Sequence, residues 1–325
     1  MRILGYQELE ERIEKGKLIL LDGGTGTEVY RRGVRGFRIL PWAVNGLVYS
    51  PKVVLQIHQD YFESGANVVI ANSFYTTEYA LESSDDSASF AGTAETFTRF
   101  AVYLAREAMG LAKKNGKSHE MCVAGSVGPL EVGDPYDPRN TPGTLTIKRE
   151  NEQRIRTITD AGADLLLVET MTTMKEALAN TELIEKLQPR IPFWLGFSFT
   201  SGGTLWSGEG IKDVFKLVKD CKIKPKVLLI NCTGIENTTN VLETIKQLGI
   251  EDMCPGIPIG IKANAEEIVY PGSTFFERPR SMTPIRYANY CKMWHDDFGI
   301  RILGGCCGTT PDDIVAIGDR LKKNT

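Results

Sequence analysis

Three of the seven cysteines in this 325-residue chain sit in glycine-rich contexts that suit chemistry. Cys306 and Cys307 are adjacent within GGCCGTTPDDI, residues 304–314, and Cys232 lies in NCTG, residues 231–234. Neighbouring cysteines can bond to each other only through a strained ring, so a plain disulfide does not account for the pair. Thiolates are nucleophiles and soft metal ligands. Three of them at one point need a counter-charge, which zinc supplies at Zn–S near ~2.3 Å while a catalytic site keeps its fourth position open. Two other readings stand beside this one. A Gly-Gly pair at a strand end can cradle phosphate, as in a barrel lyase or aldolase, and a vicinal thiol pair can serve as a non-catalytic zinc or redox sensor. A lone cysteine at a strand end is more often a small core residue.

Bringing residues so far apart in the chain to one point requires a particular architecture. Short apolar, β-branched runs recur at Leu18–Leu21, Asn67–Ala71, Cys122–Gly125, Asp164–Val168, Phe193–Phe197, Lys226–Ile230, Ile257–Ile261 and Ile300–Leu303. They are too short for helices and too apolar for half-exposed antiparallel strands, so they read as buried parallel strands. Amphipathic stretches lie between them. Lys52–Ser64 carries Val54, Ile57 and Tyr61 on one face, and Thr283–Phe298 carries Ile285, Ala288, Cys291, Trp294 and Phe298. Ser50-Pro51, Thr283-Pro284 and Thr310-Pro311 pair a capping hydroxyl with proline at the first helical position, and Asp313 follows Thr310 at capping-box distance.

Eight strand–helix units without a break in composition predict a single-domain (β/α)8 TIM-type barrel over residues 1–325, with a doubly wound open sheet as the alternative. In a closed barrel the ends of strands six and eight converge on one mouth, which would let Cys232, Cys306 and Cys307 meet. Long connections at Pro129–Thr144 and Asn264–Met282 leave strand carboxyl ends, as lids or binding loops do, while Ser83–Gly92 reads as a mobile polar surface insertion.

Composition narrows the partners. The chain is 42% apolar and 24% charged with a formal net charge of −3, so no basic stripe points to nucleic acid. No apolar run reaches the roughly 20 residues that span a bilayer, and the first residues lack a secretory signal, so a cytoplasmic location and reduced cysteines are expected. His58 and His295 fall within helices and His119 in a polar turn, away from the motifs.

The combination DGGTGTE (22–28), the glutamate-ended strand LLLVET (165–170), NCTG and GGCCGTTPDDI resembles the homocysteine S-methyltransferase family, from about Leu18 to Ile317. The resemblance implies one zinc ion per chain held by Cys232, Cys306 and Cys307. It implies that Asp22 and Glu169 receive the homocysteine ammonium and that backbone amides near Gly23 and Gly24 receive its carboxylate. The charges agree, since an amino acid needs an anion for its ammonium and donors for its carboxylate.

The donor is expected to be a sulfonium, S-methylmethionine first and S-adenosylmethionine second, with betaine as the alternative. Betaine-type relatives carry a C-terminal extension, whereas this chain stops at Thr325, which also makes a monomer or weak oligomer the expectation. LPWAVNGL (40–47) resembles the tryptophan segment of the sulfonium-using branch, and Trp42 could hold the cation by cation–π attraction. NSFYTTE (72–78) resembles the family's substrate-contacting turn, which makes Ser73 and Tyr75 further substrate candidates; in some relatives a tyrosine of this turn occupies the open zinc position, from which Tyr75 is offset. Asn264 stands where relatives carry a Pro-Asn-Ser-Gly turn, although GIKANAEEI (260–268) departs from that pattern.

Overall fold

The computed structural model describes residues 4–35, 41–85, 87–130, 134, 136–249, 253–265 and 278–322. Its strands are β1 (Ile19–Leu20), β2 (Val68–Ala71), β3 (Cys122–Val127), β4 (Leu165–Met171), β5 (Phe193–Phe197), β6 (Leu228–Gly234), β7 (Ile259–Asn264) and β8 (Ile302–Gly305). All run parallel to their neighbours, and β1 is bonded to β8. A parallel bridge from Leu21 to Val68 joins β1 to β2, so the sheet closes on itself and the open doubly wound alternative does not apply.

Burial on both faces explains the near-continuous apolar runs. Ile19, Val68, Cys122, Leu165, Trp194 and Leu229 belong to the cluster inside the barrel. Their neighbours Leu20, Val69, Val123, Leu166, Leu195 and Leu228 pack outward against the helices. The helix Leu4–Glu14, which the sequence pattern does not reveal, adds Tyr6 and Leu9 to the inner cluster at the amino ends of the strands. Tyr6 Oη accepts from Trp194 Nε1 at 3.1 Å. One end of the barrel is thereby plugged, leaving the carboxyl end for function.

The helix starts hold with modifications. Pro51 opens the helix Pro51–Glu63, but Ser50 makes no side-chain cap. Thr283 does cap, accepting from the Arg286 amide at 3.3 Å. Asp313 accepts from both the amide and the hydroxyl of Thr310, so the acid rather than the hydroxyl does the capping. In Pro284–Phe298, Ile285 is exposed because it occupies the first turn; the fully buried Tyr287 takes its place and donates to the carbonyls of Ala263 and Gly304. Within 83–92 lies a short helix, Ser87–Phe90, whose Phe90 ring packs 6.0 Å from Phe97. Residues 131–133, 135 and 266–277 of the two long loops, and Leu40 before Trp42, lie outside the described residues. No helix among the described residues is long and apolar enough to cross a membrane.

Candidate functional site

The three thiols meet at the carboxyl mouth. Cys306 Sγ lies 3.3 Å from Cys232 Sγ, Cys232 Sγ lies 3.8 Å from Cys307 Sγ, and all three fall within 4.8 Å of one another. Sulfurs arranged tetrahedrally about a divalent ion at ~2.3 Å stand about 3.8 Å apart, so the trio fits a metal with little movement. None of the seven cysteines is disulfide-bonded. Hydrogen bonding with Cys232, then with Cys307, holds the Cys306 thiol well below the ordinary thiol range, with Lys262 adding to the effect. The hydrogen bond shared with Cys306 pushes Cys232 up in turn.

Local backbone geometry aims these side chains. The register slips between Asn231 and Gly234 on β6 and between Val168 and Met171 on β4. Cys232 (φ 51°) and Thr170 (φ 59°) occupy the left-handed region at these two irregularities. Non-glycine residues in that region cost energy and persist only where surrounding contacts enforce them. Here the slips turn Cys232 and Glu169 to the mouth. Gly308 also needs its positive φ of 76°, whereas Gly304 and Gly305 are strand residues needed for close approach rather than for turning. A Cβ on Gly305 would lie 2.2 Å from Thr309 Oγ1.

Beside the thiols lies a buried charge cluster. Asp22 Oδ2 accepts from the Ile70 amide at 2.7 Å, while its Oδ1 has no hydrogen-bond partner. Glu169 Oε1 accepts from Ser126 Oγ at 2.6 Å. Burial pushes Asp22 up to about 7 and raises Glu169 as well. Lys262 Nζ sits 3.6 Å from Asp22 Oδ1. Burial alone would lower its pKa, but Cys306, Asp22 and Glu169 outweigh that and hold it charged. Lys262 carries no signal in the sequence, because a lysine inside a strand pattern belongs to no motif.

The remaining candidates divide. Trp42, Phe74 and Tyr75 form a half-buried aromatic group, with Trp42 5.8 Å from Phe74 and 6.2 Å from Tyr75 by ring centroids. Ser73 Oγ is occupied by the β3 backbone, donating to Ser126 O and accepting from Ser126 N, both at 3.0 Å. It therefore steadies the residue that holds Glu169. Gly24 N donates to Thr309 Oγ1 at 3.1 Å, so this amide is not free for a carboxylate. Asn264 Oδ1 accepts from the Cys307 amide at 3.1 Å, leaving its buried Nδ2 unpaired.

Two neighbours of the trio carried no sequence signal. Tyr136 Oη donates to Cys232 Sγ at 3.2 Å, and its ring lies 4.8 Å from Trp206. It is thus Tyr136, in the loop after β3, that hydrogen-bonds a thiol of the trio. Arg278 makes a bidentate pair with Asp313 and donates to Gly308 O at 3.0 Å, clamping the cysteine turn onto the helix Pro311–Lys322. The histidines serve elsewhere: His119 Nε2 pairs with Ala66 O, His295 with Asp296, and His58 is buried with neither ring nitrogen hydrogen-bonded.

Residues 19–321 match the family model described as homocysteine S-methyltransferase. The homocysteine S-methyltransferase of Escherichia coli (strain K12) is 30% identical over 327 residues, covering 96% of this chain and 98% of that protein. The selenocysteine Se-methyltransferase of Brassica oleracea var. italica is 28% identical, covering 97% of this chain and 92% of its own length. The crystal structure of the homocysteine methyltransferase MmuM from Escherichia coli in its metallated form superposes with a TM-score of 0.78 at 28% identity, covering 96% of this chain and 99% of that one.

Proposed function

This chain belongs to the homocysteine S-methyltransferase family, and from that premise we propose that it methylates homocysteine at a zinc ion held by Cys232, Cys306 and Cys307, taking the methyl group from a sulfonium donor. The observation that carries the reading is the trio itself, three thiols from β6 and the β8 turn spaced for one ion beside the unpaired Asp22 Oδ1. Zinc, when bound, lowers the pKa of an incoming thiol so that it reaches the donor as a nucleophilic thiolate.

The chain's own residues supply the rest. Asp22 Oδ1 and Glu169 receive the substrate ammonium; Asp22 has a vacant acceptor and burial strengthens the attraction. The Gly23 amide, next to Asp22 in the chain, is the backbone donor we assign to the carboxylate, its neighbour Gly24 being committed to Thr309. Asn264 and Arg278 hold the Cys307 turn from either side. Methyl transfer forms the new C–S bond on homocysteine and breaks the donor's, whose electron pair stays on the departing sulfur as a neutral thioether. The thiol proton leaves to solvent, and no general base is needed for the transfer.

S-methylmethionine is the first choice of donor and S-adenosylmethionine the second. The Trp42, Phe74 and Tyr75 rings offer π faces to a cation. Supplying purified protein with homocysteine and each of S-methylmethionine, S-adenosylmethionine and betaine in separate reactions, then quantifying methionine, tests this. Methionine from a sulfonium donor is expected. Turnover with betaine alone would overturn the donor assignment, and full turnover in metal-free protein would overturn the zinc assignment.

A further inference from the structure

Lys262 is buried at the mouth on β7, yet its hydrogen bonding is poor. Its Nζ lies 3.4 Å from Gly23 O and 3.6 Å from Asp22 Oδ1, both beyond the usual N–H···O range of about 2.7–3.2 Å. Across that gap Asp22 Oδ1 has no hydrogen-bond partner at all. A buried ion pair offsets its desolvation only when good geometry and further hydrogen bonds satisfy both members. This pair has neither, although each member is otherwise well placed: Asp22 is fixed through Oδ2 by Ile70, and the Lys262 stem enters from a central strand.

A zwitterion would satisfy both at once. Its ammonium supplies the donor Asp22 Oδ1 lacks, and its carboxylate supplies the acceptor Lys262 lacks. Inserting equal and opposite charges leaves the net buried charge unchanged, so no new counter-ion is required. Of the two glycine amides, Gly24 is already bound to Thr309 Oγ1, which leaves Gly23 to share the carboxylate with Lys262. The flexible lysine stem lets the ammonium swing from Asp22 to a ligand.

We infer that Lys262 is the carboxylate anchor of the amino-acid substrate: homocysteine inserts into the Asp22–Lys262 pair, its ammonium on Asp22 and Glu169 and its carboxylate on Lys262. This rests on the reading of the site as a homocysteine site. It makes Lys262 a specificity residue that selects thiols carrying both α-amino and α-carboxyl groups.

Calorimetric titration of the zinc-loaded protein with homocysteine and with 3-aminopropane-1-thiol, the same molecule without its carboxylate, tests the assignment. A charge-assisted hydrogen bond makes homocysteine the tighter ligand of wild type by about tenfold or more, and in Lys262→Met that ratio falls to about twofold, through homocysteine alone. Zinc content, measured alongside, stays at the wild-type level. An unchanged ratio in Lys262→Met overturns the assignment, as does equal weakening of both ligands with loss of zinc, which would make Lys262 a counter-charge to the thiolates. Should the methionine variant not fold, the same ratio is read in Lys262→Gln. Methionine formation by wild type separates the two levels. If it occurs while the ratio persists in the variant, only the lysine assignment fails; if homocysteine is never methylated, the reading beneath it fails too.

Discussion

Asn231 and Thr170 are tied by two hydrogen bonds across the barrel mouth: Asn231 Oδ1 accepts from the Thr170 amide and Asn231 Nδ2 donates to Thr170 Oγ1, both at 2.9 Å. Asn231 lies on β6 and Thr170 on β4, so the side chain must pass over β5 between them. Gly196 on β5 leaves the space, because a Cβ there would stand 2.6 Å from Asn231 Oδ1. Asn231 directly precedes Cys232, and Thr170 directly follows Glu169. One amide thus braces both left-handed residues, and with them the proposed metal ligand Cys232 and the proposed substrate acid Glu169.

Gly196→Ala and Asn231→Ala should therefore weaken the metal site without touching it. Removing the amide strands the buried Thr170 N–H at about 1–3 kcal/mol, and losing an outer support of a ligand costs about 10–100-fold in metal affinity. Competition for zinc against a chromophoric chelator, with urea unfolding alongside, measures both. Wild-type zinc affinity in both variants would show that the brace does not position Cys232.

Homocysteine binding should strengthen as pH rises through about 7. Burial raises Asp22 to about 7 in the free protein. Below that value the carboxyl is protonated and cannot attract the ammonium; above it, the anion can. The same shift opposes folding as pH rises: the stability attached to the protonated carboxyl is complete below its unfolded value near ~3.9 and is lost as pH climbs through about 7. Titration calorimetry from pH 6 to pH 8 should show affinity rising in wild type and a weaker, flatter profile in Asp22→Asn.

His58 should destabilise the fold in acid. Burial lowers its imidazole from 6.5 to about 4, and neither nitrogen has a hydrogen-bond partner. The folded protein resists a proton that the unfolded chain accepts. Stability is thus complete above 6.5 and falls as pH drops toward 4, by up to about 3 kcal/mol. His58→Leu also removes an unsatisfied buried polar group, so urea unfolding at pH 5 and pH 7.5 should show a gain that is larger at pH 5. An equal gain at both values would place the effect in packing alone.

Trp42→Leu should raise the KM for S-methylmethionine with little change in homocysteine affinity. A cation–π contact of about 0.5–2 kcal/mol corresponds to roughly two- to thirtyfold. Steady-state kinetics with each substrate varied in turn separates the two. An unchanged donor KM would leave Trp42 as packing for Phe74 and Tyr75.

The parts of this site legible in sequence are those with local signals. Buried strands show as apolar runs, and Cys306-Cys307 within glycines is conspicuous in any chain. Asp22 and Glu169 could be placed only through family resemblance, since an acid at a strand end has many uses. What stayed hidden depends on three-dimensional juxtaposition. Asn231 reaches over β5, Lys262 looks like an interruption of an apolar strand, and Arg278 acts through Asp313, far along the chain. The plugging helix Leu4–Glu14 gives little signal because its apolar positions are few and its charges many. The motif around Ser73 points to substrate contact, whereas the β3 backbone occupies its hydroxyl.

Zinc-edge X-ray absorption on the purified protein, before and after homocysteine is added, probes the centre most directly. Three sulfur ligands from Cys232, Cys306 and Cys307 should become four when the substrate thiol arrives. A sulfur count that stays fixed on adding homocysteine, or zinc bound without these thiols, would contradict the account.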